Sequence, residues 1–485
     1  MLNHISGIVL ALLLSIPAFA AGPADTAVSA PAPESAYAGA EAQEEAPEEV
    51  QKAAPEEVQE EAPEEAQEDA QELTPEDAYT LDRVVVLSRH NIRSPMSGSG
   101  SLLGDITPHA WFKWTSNPSE LSLRGALLET TMGQYFRLWL EKEGLFPENY
   151  MPEDGEVRFY ANAKQRTQAT ATYFSAGLLP VGNIPVERHA DYDTMDPTFN
   201  PVLTFISPSY AEAVQEQIAA MGGIAGVRGI HAGLMDAITL LMDVTDMEES
   251  EAYEAGTYGN LLEDDSTVEL LEGAEPSMNG PIRTATSVAD ALTLQFYETA
   301  DPKEAAFGHD LTMEDWQSLH GIVDKYTDML FGMPLLAVNE AHPLLMEIRS
   351  ELTEEGRRFS FLCGHDSNLA SVLSALGAEE YLLPDTVEQH TPIGVKLVFS
   401  RWLDENGAAA WTAELVYQNT EQLRAITPLS LEEPPVRCAV HFEGVKENEC
   451  GMIGEEELLA LFDTSIGAYD ALVEEYSEDA AAEAA

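Results

Sequence analysis

The chain has 485 residues, 45% of them hydrophobic, which is enough for one large domain or two ordinary ones around a sizeable core. Against 24 lysines and arginines stand 85 aspartates and glutamates, a formal net charge of −61. That balance argues against nucleic acid and anionic membrane surfaces as partners, since both need a basic footprint, and it reads first as a heavily solvated surface.

In chain order, the first segment reads as an address. "MLNHISGIVLALLLSIPAFA" carries an apolar stretch from Ile5 to Ile16 and then Ala18-Phe19-Ala20 as a small-residue cleavage site. Residues 1–20 are therefore expected to be a secretory signal peptide, although no Lys or Arg precedes the apolar stretch. The stretch is too short for a membrane anchor, and no later segment is apolar for long enough to insert in a bilayer. Residues 21–78 are low in complexity: "APEEVQ" begins at Ala46 and Ala54 and returns as "APEEAQ" at Ala62. So short a period builds no structural repeat, each proline interrupts a helix and the glutamates repel one another. This composition predicts a disordered acidic spacer.

The folded part is expected to be an α/β sheet domain formed by residues 79–204 and 332–476. Short apolar runs at Val84–Leu87, Val157–Tyr160, Phe359–Cys363 and Lys396–Phe399 read as strands alternating with helical patterns. Residues 205–331 carry helical spacing with few strand signals, as in "SYAEAVQEQIAAM" and "SVADALTLQFYETA", which predicts a smaller, mostly helical insert. Residues 477–485 read as an acidic tail. Cys363 lies in a buried apolar run, whereas Cys438 and Cys450 could close a small surface loop as a disulfide.

Three stretches share one design, a buried strand followed by a polar turn and a helix. They are "RVVVLSRHNIRSP" with Arg89, His90 and Arg93, "VRFYANAKQRTQATATYFSAGL" with Arg166, and "FSFLCGHDSNLASVLSALG" with His365 and Asp366. In the second, Ala169, Tyr173 and Ala176 share one helix face; in the third, Ser367 and Asn368 are candidate caps and Gly377 a helix end. Ligands of open α/β sheets bind beyond the carboxyl ends of the strands, so these charged groups can converge in one pocket. Three arginines and a helix N-terminus suit a dianionic group, for which phosphate is the obvious candidate. HExxH, zinc-type Cys/His spacings and the P-loop are absent, so no metal or other cofactor is expected.

With these residues in place, the chain resembles the histidine acid phosphatases. "RHNIRSP" is similar to their RHGxRxP signature, with Asn91 where glycine is usual, and "GHDSN" to their later HD motif. Within the family the likeness is strongest to the bacterial periplasmic glucose-1-phosphatases, which share the Asn variant and stretches like "TMDPTFNPV", "TPIGVKLVFSRW" and "YQNTEQLR". The resemblance implies the family's α/β fold, a periplasmic location, His90 as nucleophile and Asp366 as proton donor. It also implies that Arg89, Arg93, Arg166 and His365 bind the phosphate. The implied reaction is hydrolysis of small sugar phosphates through a phosphohistidine, with phytate as an alternative substrate. A non-catalytic phosphate-binding protein is the competing class, disfavoured because binding alone needs neither His90 nor Asp366. Against phytate stands the stretch after Pro95, "MSGSGSLLGD", which is neutral to acidic and has Ser97 where related phytases often carry lysine.

Overall fold

The computed structural model describes residues 79–96 and 102–483, with side chains to residue 477. The expected signal peptide (1–20) and acidic spacer (21–78) lie outside the described residues, as does Ser97.

The valine-rich run after Tyr79 becomes a ten-residue strand, β1 (Thr80–Arg89), and it lies inside the main sheet. Its neighbours are β6 (Phe359–Gly364), which pairs parallel, and β7 (Lys396–Leu403), which pairs antiparallel. Beyond β6 follow β2 (Val157–Ala161) and β3 (Val186–Glu187), both parallel. Beyond β7 comes β8 (Ala409–Tyr417), flanked by β9 (Val436–Ala439) and β10 (Ile453–Gly454). Three parallel strands, β1, β6 and β2, thus stand side by side and end at the same edge.

Period-two alternation explains why both sheet faces are covered. Val84, Val86, Phe361 and Cys363 point to one face, where helices α1 (Leu123–Lys142) and α2 (Gln165–Leu178) pack. Two glycines allow the backbones of these helices to approach closely. A Cβ on Gly133 would lie 2.1 Å from the Phe174 carbonyl oxygen, and one on Gly177 would lie 2.1 Å from that of Thr130. The face of α2 carrying Ala169, Tyr173 and Ala176 turns out to be the outer one. The helix buries Arg166, Thr170, Phe174 and Leu178 instead.

Between β3 and β6 the chain contributes no strand to the main sheet among the described residues. It forms helices α3 (Pro208–Met221), α4 (Val227–Val244), α5 (Pro281–Glu298) and α6 (Met313–Leu330), with a hairpin of β4 (Thr267–Glu269) and β5 (Ser277–Asn279). These helices pack around one core, which includes Tyr210, Leu241, Leu292 and Trp316 and extends to Ile92 and Leu128 of the sheet-forming part. Val85, Leu87 and Leu362 point to the other sheet face, covered by α7 (Pro334–Thr353), α8 (Asp366–Ala375) and α9 (Glu455–Glu483). The stretch expected as a tail from residue 477 continues α9 as far as Glu483.

The candidate disulfide is not formed. Cys438 packs in the core of one sheet face, with Sγ 3.9 Å from Tyr417 Oη, while Cys450 packs against the core of the other face. Packed against different cores, both are free thiols. Cys363 is likewise free and buried, as its apolar run requires.

Candidate active site

Strand register brings the motif residues together. Arg89 pairs with Gly364 and Ala161 with Cys363, so His90, Asn162 and His365 leave the sheet at nearly the same level. The imidazoles of His90 and His365 lie edge to face, with centroids 5.5 Å apart. Arg166 arrives in the first turn of α2 and Asp366 in the first turn of α8. All six predicted residues meet here. Five of them (His90, Arg93, Arg166, His365 and Asp366) line one cavity of about 630 Å³, and Arg89 stands behind Asp366.

The local caps differ in detail from the expected ones. His365 itself is the N-cap of α8, and Asn368 accepts from the His365 backbone N–H at 2.9 Å. The first motif is not followed directly by a helix. Among the described residues between β1 and α1 the one helical stretch is a four-residue turn, Leu102–Asp105.

His90 is almost wholly buried, and its Nδ1–H donates to the Asn91 carbonyl at 2.8 Å. That bond assigns the ring proton to Nδ1 and leaves Nε2 with its lone pair free. Burial, followed by the charges of Arg166, His365, Arg93 and Arg89, holds the pKa of His90 well below the ordinary imidazole range.

For His365, Asn162 Nδ2 donates to Nε2 at 2.7 Å, and Asn162 Oδ1 accepts from the Asp196 N–H at 2.9 Å. The His365 proton is thereby assigned to Nδ1, which faces Arg166 Nη2 at 3.2 Å. Two donors facing each other are satisfied by an acceptor oxygen that takes a hydrogen bond from both. Arg166 has no ion-pair partner among the described residues, and burial, then Arg93, lowers its pKa to about 10. It stays cationic at any pH of interest.

Arg89 donates to the Thr391 carbonyl and, at 3.0 Å, to Asp366 Oδ2. Burial works against ionisation of Asp366, but Arg89, Arg93, His365 and the Ser367 N–H outweigh it and bring its pKa to about 2. Arg93 is gripped by both oxygens of Asp290 on α5, at 3.1 and 3.2 Å. A residue of the helical segment thus orients a guanidinium of the cavity.

Residues 80–215 match the family described as the histidine phosphatase superfamily, branch 2. A glucose-1-phosphatase of Salmonella typhimurium is 37% identical over 371 residues, covering 76% of this chain and 88% of the relative. The chain belongs to the histidine phosphatase superfamily. A second glucose-1-phosphatase, from Providencia rettgeri, is 34% identical and covers 78% of this chain and 90% of its own. Among solved structures, the phytase of Citrobacter braakii superposes with a TM-score of 0.71 at 27% identity, over 81% of this chain and 98% of its own.

Sequence reasoning missed the partners of the motif residues in this histidine phosphatase. Asp290 lies in a helix that periodicity marks only as amphipathic, and nothing local ties it to Arg93. Lys164, Glu275 and Arg283 also line the cavity without belonging to any motif. Lys396 did offer a signal: a lysine inside the apolar run "GVKLVF" must find a buried partner.

Proposed function

We propose that this phosphatase is an exported, acid-active phosphomonoesterase that hydrolyses small sugar phosphates such as glucose 1-phosphate. The observation that carries the reading is a buried histidine with Nε2 unprotonated, set among Arg93, Arg166 and His365 at the edge of one cavity. In that arrangement Nε2 of His90 attacks phosphorus in line, and the bond from phosphorus to the ester oxygen breaks. The arginines and His365 hold the remaining phosphoryl oxygens, where the transition-state charge is spread. Asp366 gives its proton to the departing alkoxide. Its carboxylate then takes a proton from the water that attacks the phosphohistidine and frees His90. Asp366 begins paired with Arg89; a phosphate dianion bound beside it favours the protonated acid.

Substrate size follows from charge. Beyond the proposed phosphate-binding residues the cavity has two cations, Lys164 and Arg283, and two acids, Glu275 and Asp290, the latter already paired with Arg93. A polyphosphate needs a strongly cationic lining, whereas a monophosphate with a neutral sugar does not. The likeness to two glucose-1-phosphatases supports the same choice, and the signal-peptide pattern of residues 1–20 supports export to the periplasm. Phytate is the second reading, favoured by the fold likeness to a phytase.

The test is phosphate release by the purified protein at about pH 5 with chelator present, comparing kcat/KM for glucose 1-phosphate and phytate. A preference for glucose 1-phosphate is expected. A preference for phytate would overturn the substrate assignment, and no release by folded protein would leave a phosphate-binding protein.

A further inference from the structure

Below the catalytic cavity lies an ion pair that the reaction scheme does not use. Glu129 on α1 and Lys396 on β7 are both fully buried, with Lys396 Nζ 2.8 Å from Glu129 Oε1. Such a pair is weak support for a fold, because apolar residues of the same volume commonly serve stability as well or better. Its hydrogen bonds suggest a different purpose.

The same Glu129 oxygen accepts from Asn91 Nδ2 at 2.7 Å. Lys396 Nζ also donates to the Gly394 carbonyl at 2.6 Å, and the Gly394 N–H donates to the His90 carbonyl at 3.2 Å. Asn91 in turn offers its own carbonyl to the His90 Nδ1–H. These bonds close a ring that passes through both the backbone and the imidazole of His90. Gly394 fits the ring for two reasons: its φ is +70°, and a Cβ there would stand 2.5 Å from Asn91 Nδ2. Asn91, the departure from the family's usual glycine, is the link through which the ion pair reaches the nucleophile.

We propose that Glu129 and Lys396, acting through Asn91, are positioning residues for His90. They hold the Asn91 carbonyl where it keeps the ring proton on Nδ1 and presents Nε2 to phosphorus. The inference rests on His90 being the nucleophile, and in-line attack is sensitive to displacements of an ångström or less.

The experiment compares wild type with Asn91→Gly, which keeps the carbonyl but cuts the link. It also includes the double variant Glu129→Leu/Lys396→Met, which removes both charges, and with them the acceptor for Asn91, together because either change alone strands a buried charge. Kinetics with glucose 1-phosphate, thermal melting and 15N NMR of the histidine rings are read on each. The expected result is a fall in kcat of ~10- to 100-fold with KM within about twofold, in protein that still melts cooperatively. The His90 ring signals should change from one tautomer to an exchanging mixture. Folded variants with wild-type kcat and a single His90 tautomer would overturn the proposal. So would kcat lost only in parallel with thermal stability while the tautomer is kept. Should wild type itself release no phosphate, the catalytic reading of His90 falls, and the NMR comparison still decides whether the ring sets its tautomer.

Discussion

As the proposed nucleophile, His90 must be neutral to attack, and its surroundings favour that state. An ordinary imidazole is half protonated at about pH 6.5, but burial and then the charge of Arg166 lower the pKa of His90 well below that. The sign follows directly: a lowered pKa keeps Nε2 unprotonated into the acid range, where the bulk of histidines are cationic. Arg166→Ala removes the largest single charge effect, so the acid limb of the kcat/KM profile is expected to move to higher pH. Loss of an oxygen-holding donor should also reduce kcat/KM by about 100- to 1,000-fold. A pH-rate series on wild type and variant checks both. An acid limb that stays in place would mean that the charge of Arg166 does not help set the His90 pKa.

Among the helices, α7 carries a feature that couples stability to acidity. Glu340 is 3% exposed, and neither carboxyl oxygen has a hydrogen-bond partner among the described residues. Burial, and then the nearby Glu275, push its pKa well above the usual carboxyl range. A raised folded-state pKa means that the stabilisation is fully present below the unfolded value of about 4.5 and is lost as pH rises above it. Glu340→Gln removes the ionisation while keeping the shape. At pH 7 it should therefore raise Tm by about 2 °C or more, with little change at pH 4. Melting curves at the two pH values test this, and an equal shift at both would rule out ionisation as the cause. The outcome bears on the candidate site, because α7 backs one face of the strands β1 and β6 that lead into His90 and His365.

At the scale of the whole molecule, a chain with a net charge of −61 carries a cavity lined by Arg93 and Arg166. The long-range field repels a dianionic substrate, while Arg93 and Arg166 act over a few ångströms inside a low-dielectric cavity. Salt separates the two. Raising NaCl from ~10 to ~100 mM shortens the Debye length from about 30 to about 10 Å and screens the distant charges first. Accordingly, kcat/KM for glucose 1-phosphate should rise over that interval, as initial rates at constant pH will show. A steady fall would mean that attraction by the cavity already dominates at long range.

The apolar runs, the helix after "GHDSN" and the charged residues at three strand ends could be read from the chain alone, since each depends on periodicity or on neighbours a few positions away. Convergence of those strand ends was also predictable, because parallel strands share a carboxyl edge. The outer face of α2, with Tyr173 exposed, was not, because apolar residues occur on both of its sides and only packing against α1 and the sheet selects one. Nor could the chain show that Cys438 and Cys450 pack in different cores. The partners of the motif residues were equally hidden. Asp290 grips Arg93 from 197 positions away, and Lys396 reaches Glu129 across 267. The side chains suited to the proposed chemistry were legible in the chain, because charge, tautomerism and nucleophilicity belong to residue types. Only the tertiary structure decided what holds them in place, because contacts between distant segments depend on which face of each element is buried.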